Sequence, residues 1–379
     1  MALQKYVVQY STNNGVSYTD LTNIQSINLN VGVQAQLEQI KASTASVVLR
    51  YPTGYASPIT GLKSGTWVRI RNNTNPLSIF TLWEGKIADV IVEYGILYSA
   101  GVGNTDFVTI SAEGYFADIA RMGGADYAMP AGTIVSQTDL ASAETNVPIG
   151  YIPDTDGRLG AATTVSDTWG DWLARTALSH NARLQDGRQM TTGNVNIVSP
   201  FSIVACDYNF SDTPTGNDQK YDAINFDSLS DNYYTQVSVV TESFGTVTVT
   251  AAGATAPYRT YQVNTLNASV DQATDYANYL LSNYQTPLLA LSSISATAEQ
   301  QTNSKLDQMA LFSVANYPGK SVNVTFRGTV YACIIEGVSM SATPSSTRFT
   351  FYVSGADYNN YLLLGDNTFG RLDFNKLGY

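Results

Sequence analysis

The feature that most constrains this chain is a series of short segments in which every second residue is apolar. Up to about residue 120 the clearest examples are Ile27, Leu29, Val31 and Val33, then Val47, Leu49 and Tyr51, then Val108, Ile110 and Ala112. Such alternation is typical of strands that bury one face. Turn signals lie between these strands, at Asn13-Asn14-Gly15, Pro52 to Gly65 and Asn72 to Pro76. Many short strands separated in this way predict a barrel or a sandwich.

Strand patterns return in the second half of the chain. Val237 to Thr241 and Val247 to Ala251 flank Ser243-Phe244-Gly245, which predicts a hairpin. Further alternation near the end is found at Val322, Val324 and Phe326, at Val330 to Glu336, and at Phe349, Phe351 and Val353. The chain therefore has β-rich regions at both ends.

Two amphipathic helices are predicted between these regions. In the first, Trp169, Trp172, Leu173, Ala177, His180 and Leu184 recur at intervals of three and four residues, with Ser166 or Asp167 as N-cap. The second runs from about Val270 to Tyr284, with Ser269 as N-cap and Pro287 just past its end. Each helix should bury its apolar face against a sheet.

The segment from Gly123 to about Gly160 is rich in Gly, Pro, Ser, Thr and Asp, which predicts a long loop with little structure of its own. We therefore predict a mainly β protein with an α+β insert. The chain has 379 residues, which exceeds the usual limit of a single core. The predicted division is a β-barrel over 1–120, an irregular loop plus α+β insert over 121–230, and a second barrel region with one helix over 231–379.

Charge is scarce in this sequence. Only 13% of the residues are charged, about half the usual share, and 25 are Tyr. Such a surface favours a protein covered by neighbours in an assembly, or an acidic secreted β-protein. The formal net charge of -11 argues against tight binding of nucleic acid, which needs clusters of Lys and Arg. Polar residues interrupt the first segment and every later apolar stretch, so we expect neither a secretion signal nor a membrane anchor.

The residues that could carry chemistry are few. The single histidine, His180, lies on a helix face that we expect to be packed, and no Gly-x-Ser-x-Gly turn is present. Asp154-Thr155-Asp156-Gly157 resembles the start of a calcium loop without the distal glutamate, so a polar turn is favoured. The four Trp residues favour core positions over sugar platforms. We predict no catalytic residue, metal or cofactor, although an acid pair for glycoside hydrolysis stays open.

The two cysteines, Cys206 and Cys333, lie far apart and have apolar neighbours. Cysteines of this kind are usually free thiols in buried strands.

A series of short motifs resembles the minor tail, or baseplate hub (tail-tip hub), proteins of siphophages. The motifs come in the family's order, and Glu113 replaces the commoner Asp of the third. They are Gly65 to Ile70, Leu82 to Val90, Phe107 to Gly114, Tyr258 to Tyr261 followed by the Asp271 to Leu281 helix, and Leu364 to Asp373 with the ending Leu377-Gly378-Tyr379.

The resemblance implies a structural virion protein at the tail tip. It implies β-barrel domains that form a ring as a homotrimer, which closes the tail tube. The implied partners are the distal tail and tail tube proteins above and the tip or fibre proteins below, with the tape measure protein as a further candidate. DNA would be met only in transit through the channel, where an acidic lining would repel it. Two other functions stay open, namely a receptor- or glycan-binding β-module and a wall-degrading tail enzyme.

The last segment, from Tyr361 to Tyr379, is apolar but interrupted by glycines at 365, 370 and 378. Leaving such a segment in water is costly, at about 25 cal/mol per Å² of apolar area. It should pack on its own domain or, as we predict, form an assembly arm. The candidate interface residues of this arm are Tyr361, Leu363, Leu364, Phe369, Leu372 and Tyr379.

Overall fold

The computed structural model describes most of the chain. The described residues are 6–35, 37–52, 61–72, 81–95, 105–152, 159–186, 194–199, 205–206, 209–216, 218–227, 233–285, 290–299 and 317–355. The proposed arm at 361–379 and the Asp154 to Gly157 turn lie outside them.

The N-terminal strands occur where alternation predicts them, and their apolar residues are buried. Ile27, Leu29, Val47, Leu49 and Ile110 are all at most 1% exposed. The strands are β1 (Tyr6–Ser11), β2 (Thr19–Asp20), β3 (Ile24–Gly32), β4 (Thr44–Tyr51), β5 (Trp67–Asn72), β6 (Thr81–Glu93) and β7 (Asp106–Glu113).

The middle of the chain mixes short strands with three helices. The helices are α1 (Tyr115–Arg121), α2 (Ile134–Thr145) and α3 (Trp169–Ser179). The strands are β8 (Tyr127–Met129), β9 (Gly132–Thr133), β10 (Ile149–Ile152), β11 (Leu159–Gly160), β12 (Thr163–Val165), β13 (Arg183–Asp186) and β14 (Val195–Val198).

The prediction of a loop with little structure from Gly123 to Gly160 is wrong, because this segment contains α2 and strands β8 to β11. Periodicity missed α2 because its buried side includes the polar residues Gln137 and Thr138. Gln137 is accommodated there since its Nε2 donates to the carbonyls of Pro130 and Ala161, at 2.8 and 3.0 Å.

The remaining elements include the predicted ones and four strands that the sequence patterns did not indicate, β15, β16, β17 and β21. The hairpin and the last three strands are confirmed, and so is the helix from Val270 to Tyr284 with Ser269 as its N-cap. The elements are β15 (Phe210–Ser211), β16 (Gln219–Lys220), β17 (Ala223–Asp227), β18 (Gln236–Thr241), β19 (Gly245–Thr250), β20 (Thr260–Thr265), α4 (Val270–Tyr284), β21 (Ala290–Glu299), β22 (Ser321–Phe326), β23 (Thr329–Ala342) and β24 (Ser346–Gly355).

Among the described residues, one 14-stranded sheet joins the N-terminal strands to the C-terminal strands. Its main path is β16-β15-β22-β23-β3-β4-β7-β6-β5-β1-β2, and β24, β21 and β17 continue from β23 on a branch. The N-terminal and C-terminal strands meet where β3 pairs with β23 over Ile27–Gly32 and Gly337–Ala342. Among the described strands this path is open at both ends, so closure into a barrel stays a prediction.

Within the described part of the chain, three buried clusters make up the core. The first lies on the large sheet, from Tyr6 to Ala112 and from Cys206 to Val353. The second packs helices α1 to α3 on the small sheet β10-β14-β13. The third packs α4 on the sheet β19-β18-β20, through residues such as Val237, Ala277 and Leu280. None of the described helices has the length and apolar character needed to cross a membrane.

Candidate functional site: a buried polar junction on one strand

Strand β13 of the insert contacts both the N-terminal and the C-terminal parts of the large sheet. All four of its side chains are buried, although three of them are polar or charged. The strand follows directly on α3, which ends at Ser179, with His180 as its C-cap. Asn181 then adopts a positive φ of 50°, a conformation that Asn tolerates well, and turns the chain into β13. The predicted continuation of the helix to Leu184 is therefore wrong.

Arg183, at the start of β13, forms a buried ion pair with Glu336 of β23. Arg183 Nη2 lies 2.6 Å from Glu336 Oε1, and Nε lies 3.1 Å from Oε2, so the pair is bidentate. The side chains are only 7% and 2% exposed. Arg183 Nη1 also donates to the Asn181 carbonyl at 2.8 Å, and the Ser354 hydroxyl donates to Glu336 Oε1. This pair ties the insert to the C-terminal part of the large sheet.

Ionisation of Arg183 is maintained by its partner. Burial disfavours the charged guanidinium, but the negative charge of Glu336 and the hydrogen bonds to it outweigh that effect. The net result is a pKa of Arg183 above its ordinary value. The Arg183 guanidinium is therefore charged across the physiological pH range.

A β-bulge puts Glu336 in this position. The pairing of β23 with β24 shifts register between Ile335 and Gly337, which leaves Glu336 as the extra residue. Bulges commonly redirect a side chain in this way. The next residue, Gly337, pairs with Gly32 of β3, and a Cβ on Gly32 would lie 2.2 Å from the Glu336 carbonyl oxygen. Two glycines thus allow β3 and β23 to approach beside the ion pair.

Asp186, at the other end of β13, ties the insert to the N-terminal strands. Its Oδ2 accepts from the Ser43 main-chain N–H at 2.7 Å and from Ser43 Oγ at 2.9 Å, and its Oδ1 accepts from the Phe116 N–H at 3.0 Å. Trp83 Nε1 of β6 donates to Ser43 Oγ at 2.9 Å. Gly114, the N-cap of α1, has no side chain to cap the helix, so the Asp186 carboxylate fills that role.

Burial raises the pKa of Asp186 to about 6, although the hydrogen bonds from Phe116, Ser43 and Tyr115 oppose the shift. The folded state therefore binds a proton more readily than the unfolded state, whose aspartate titrates near ~4. Protonation of Asp186 therefore stabilises the folded state. This contribution is fully present below the pKa of the unfolded state and is lost as the pH rises through the folded-state pKa of about 6.

We accordingly expect the unfolding free energy of the wild type, relative to Asp186→Asn, to rise by up to about 3 kcal/mol as the pH falls from 7 to 4. Chemical denaturation of both proteins at several pH values measures this difference. Between pH 7 and 8 it should be constant, since the group is then ionised in both states. A difference independent of pH, or largest at pH 7, would contradict the role given to Asp186.

A small cavity lies beside β13, between the second and third core clusters and next to strands β3 and β23 of the large sheet. Its volume is about 40 Å³, and Gly32, Leu37, Ile40, Leu178, Arg183 and Tyr276 are among its lining residues. Organic ligands occupy pockets of roughly 300 Å³ or more, so this cavity has room for water only. The site is therefore suited to fixing the relative positions of three packed units rather than to binding a substrate.

The histidine, the tryptophans and the cysteines considered in the sequence analysis are mostly buried. His180 is 6% exposed, and Trp83, Trp169 and Trp172 are buried, as predicted, while Trp67 is half-buried with its ring 5.0 Å from that of Tyr115. Cys206 and Cys333 are free and buried, and burial raises the pKa of Cys333 to about 12. Among the described residues, no group of three His, Cys, Asp or Glu side chains could hold a metal ion.

The junction itself was not predicted from sequence. The apolar periodicity extends the preceding helix to Leu184, past Arg183, and it predicts Glu336 only as the end of a strand. A usable signal was present, because charged residues inside apolar strand patterns are rare in a chain with so few charges.

Comparison with known proteins identifies the fold. No protein-family model and no curated protein sequence matches the chain. Among solved structures, it is similar to the 43 kDa tail protein of prophage MuSo2 from Shewanella oneidensis, with a TM-score of 0.64 and 14% identity over 93% of this chain and 98% of that one. It is also similar to the tail protein from Neisseria meningitidis MC58, with a TM-score of 0.60 and 12% identity over 92% and 97%.

A third similar structure is the E. coli c3393 protein, a component of the type VI secretion system with structural similarity to T4 bacteriophage tail proteins gp27 and gp5. The TM-score is 0.50 and the identity 9%, over 88% of this chain and 73% of that one. The predicted mainly β fold with an α+β insert, and its likeness to phage tail hubs, are confirmed at the level of the fold. This chain has the fold of phage tail proteins.

Proposed function

We propose that the chain is a structural virion protein, the hub that closes the tail tube at the tip of a long-tailed phage. The observation that carries this proposal is the similarity in fold to two phage tail proteins over more than nine tenths of each chain. Fold alone does not define function, so the proposal also needs support from the surfaces of this chain.

The composition of the exposed face of the large sheet supports the proposal that this face lines the channel. Opposite the buried face, the central strands carry mostly short, uncharged polar side chains. In register across β23, β3, β4 and β7 these are Ser341, Asn28, Ser46 and Ser111, with Ser339 and Asn30 in the next row. A surface without clusters of Lys or Arg makes few phosphate contacts, so DNA could pass without binding. The first of these rows continues into Arg348 of β24 on one side and Asp89 of β6 on the other, so only its middle is uncharged, and the acidic lining expected from the net charge is not found there.

The same proposal includes the finer features that the resemblance implied. The chain would act as a homotrimer with no enzymatic activity, placed between the distal tail and tail tube proteins and the tip or fibre proteins. The division into 1–120, 121–230 and 231–379, and the assembly arm at 361–379, remain part of it. The junction on β13 would hold the insert at a fixed angle to the ring, since Arg183 and Asp186 engage opposite parts of one sheet.

We expect the purified full chain to have a mass of three times the 40.9 kDa protomer in size-exclusion chromatography with light scattering. A contact between two different surfaces of one chain closes into a ring when its rotation returns to the first subunit. A protein that stays at the protomer mass across the accessible concentration range would contradict the trimer. Tight binding of host glycans by that monomer would instead favour the receptor-binding module.

A further inference from the structure

The small sheet β19-β18-β20 has an uncovered edge on its outer side. On its inner side, β20 faces α3, and Asn267, just after β20, bridges Gly160 of the insert. Helix α4 covers β18 and β19. Within the described part of the chain, no strand pairs with the outer edge of β19. The main-chain N–H and C=O groups that point outward from β19 are therefore available to a further strand.

Strand β19 has none of the features that usually protect an edge from pairing. Its sequence, Gly-Thr-Val-Thr-Val-Thr, contains no charge and no proline, and its pairing with β18 has no bulge. On the side of α4, Val247 and Val249 pack against the third core cluster but are only partly buried. A strand added here would cover both valines if its own side chains alternate between apolar and polar.

The C-terminal segment contains a short stretch with this alternation. In Arg371-Leu372-Asp373-Phe374-Asn375, two large apolar residues alternate with three polar or charged ones. Such a pattern is typical of a strand that buries one face. The stretch contains neither glycine nor proline, although glycines interrupt the segment on both sides of it. It is therefore suited to be the missing neighbour of β19.

Strand β24, the last described strand, ends beside α4. The Ser354 hydroxyl donates to Glu336, and Glu336 lines the same small cavity as Leu280 of α4. Fifteen residues separate Gly355 from Arg371, and they can span up to about 50 Å. Helix α4 has 15 residues and is therefore only ~22 Å long. The outer edge of β19, which α4 covers, is thus within reach of the C-terminal segment of the same copy.

We propose that residues 371–375 add a fourth strand to this sheet, on the outer edge of β19 in the same copy. A tether of this length keeps the segment at a high effective concentration beside its own sheet, which favours this copy over a neighbour. In the antiparallel register, Phe374 lies opposite Val247. Leu372 then lies opposite Val249, so both apolar side chains face α4 and the polar ones continue the threonine face of β19.

This contact narrows the proposed assembly arm. Leu372 packs on its own copy, and the chain between β24 and the added strand becomes a loop that is held at both ends. Its apolar residues Tyr361, Leu363 and Leu364 are then presented to a neighbouring subunit from a fixed base. This part of the inference rests on the proposed hub, whereas the added strand does not.

Disulfide trapping in the full chain tests the added strand. Thr248 and Asp373 lie directly opposite each other, at a Cα separation of about 4.5–5.5 Å that a disulfide can bridge. Mild oxidation of Thr248→Cys with Asp373→Cys should therefore give a band that migrates ahead of the protomer on a non-reducing gel, and reductant should reverse the shift. The wild type should show no shift, because Cys206 and Cys333 are buried.

A matched control moves one cysteine inward along the same row. Gln262 of β20 lies in register with Thr248 through Ser238, about 14 Å from the added strand. Gln262→Cys with Asp373→Cys should remain reduced, and equal cross-linking of both pairs would show that the segment is not docked. Should the first variant fold poorly, Thr250→Cys with Arg371→Cys tests the same register.

The remaining outcomes separate the added strand from the hub. Bands at two and three times the protomer mass would overturn docking within one copy, because the strand would then come from a neighbour. A protein that light scattering shows to be a trimer, but in which neither pair with β19 cross-links, would overturn the added strand and leave the hub intact. A monomer that cross-links internally would confirm the added strand and overturn the hub.

Discussion

Replacement of Arg183 by Met is expected to lower the unfolding free energy by about 3–5 kcal/mol, the usual effect of removing one partner of a buried ion pair. Glu336 would remain 2% exposed without the bidentate partner that offsets its desolvation. The Ser354 hydroxyl would still donate to it, but one neutral donor does not replace a charged guanidinium. Guanidinium denaturation at pH 7 measures the loss.

The matched control is the same change at an exposed ion pair. Arg121 pairs with Glu113, and the Arg121 side chain is 65% exposed, so Arg121→Met should cost less than about 1 kcal/mol. Arg183→Met combined with Glu336→Leu should recover much of the loss, because no charge is then left buried. An Arg183→Met protein as stable as Arg121→Met would show that the pair does not hold the insert to the sheet.

Replacement of Gly32 by Ala is expected to disrupt the contact between β3 and β23. The φ of Gly32 is +75°, and a Cβ would lie 2.2 Å from the Glu336 carbonyl oxygen and 2.8 Å from the Gly337 Cα. The left-handed conformation alone costs an alanine about 1–2 kcal/mol. Overpacking against backbone that cannot rotate away adds about 1–3 kcal/mol. The strands that join the two halves of the sheet would have to separate.

Gly253 separates these two effects, since its φ is +78° and a Cβ there would meet no atom within 4 Å. Gly253→Ala should therefore show the conformational cost alone, and Gly32→Ala should lose about 1–3 kcal/mol more in the same denaturation experiment. Equal losses would mean that β3 and β23 can move apart without penalty.

The sequence predicted those elements whose apolar pattern matches their burial. Strands β3, β4 and β7 alternate cleanly because one face is core, and α4 has both an apolar stripe and the Ser269 cap. Helix α2 was missed because polar side chains such as Gln137 satisfy their hydrogen bonds inside the fold. A stop signal was present, because its C-cap Asn146, with a φ of +53°, is followed two residues later by Pro148, but no apolar stripe precedes that signal.

The charged residues of the junction carry a signal in the sequence, but their partners could not be predicted because they depend on long-range pairing. Arg183 and Glu336 are 153 residues apart, and Ser43 and Asp186 are 143 apart. Only the bulge in β23 turns Glu336 towards β13, and a one-residue shift of register leaves no mark in the local pattern. Local rules therefore identified the strands but not which charged side chains meet.

Electron cryomicroscopy of the purified oligomer, or of a tail that contains the chain, tests the proposed hub most directly. The expected map shows three copies around an axial channel, with the face that carries Asn28, Ser46 and Ser111 lining it. A single copy attached at the periphery of the tip, or a ring in which that face points outward, would contradict the account.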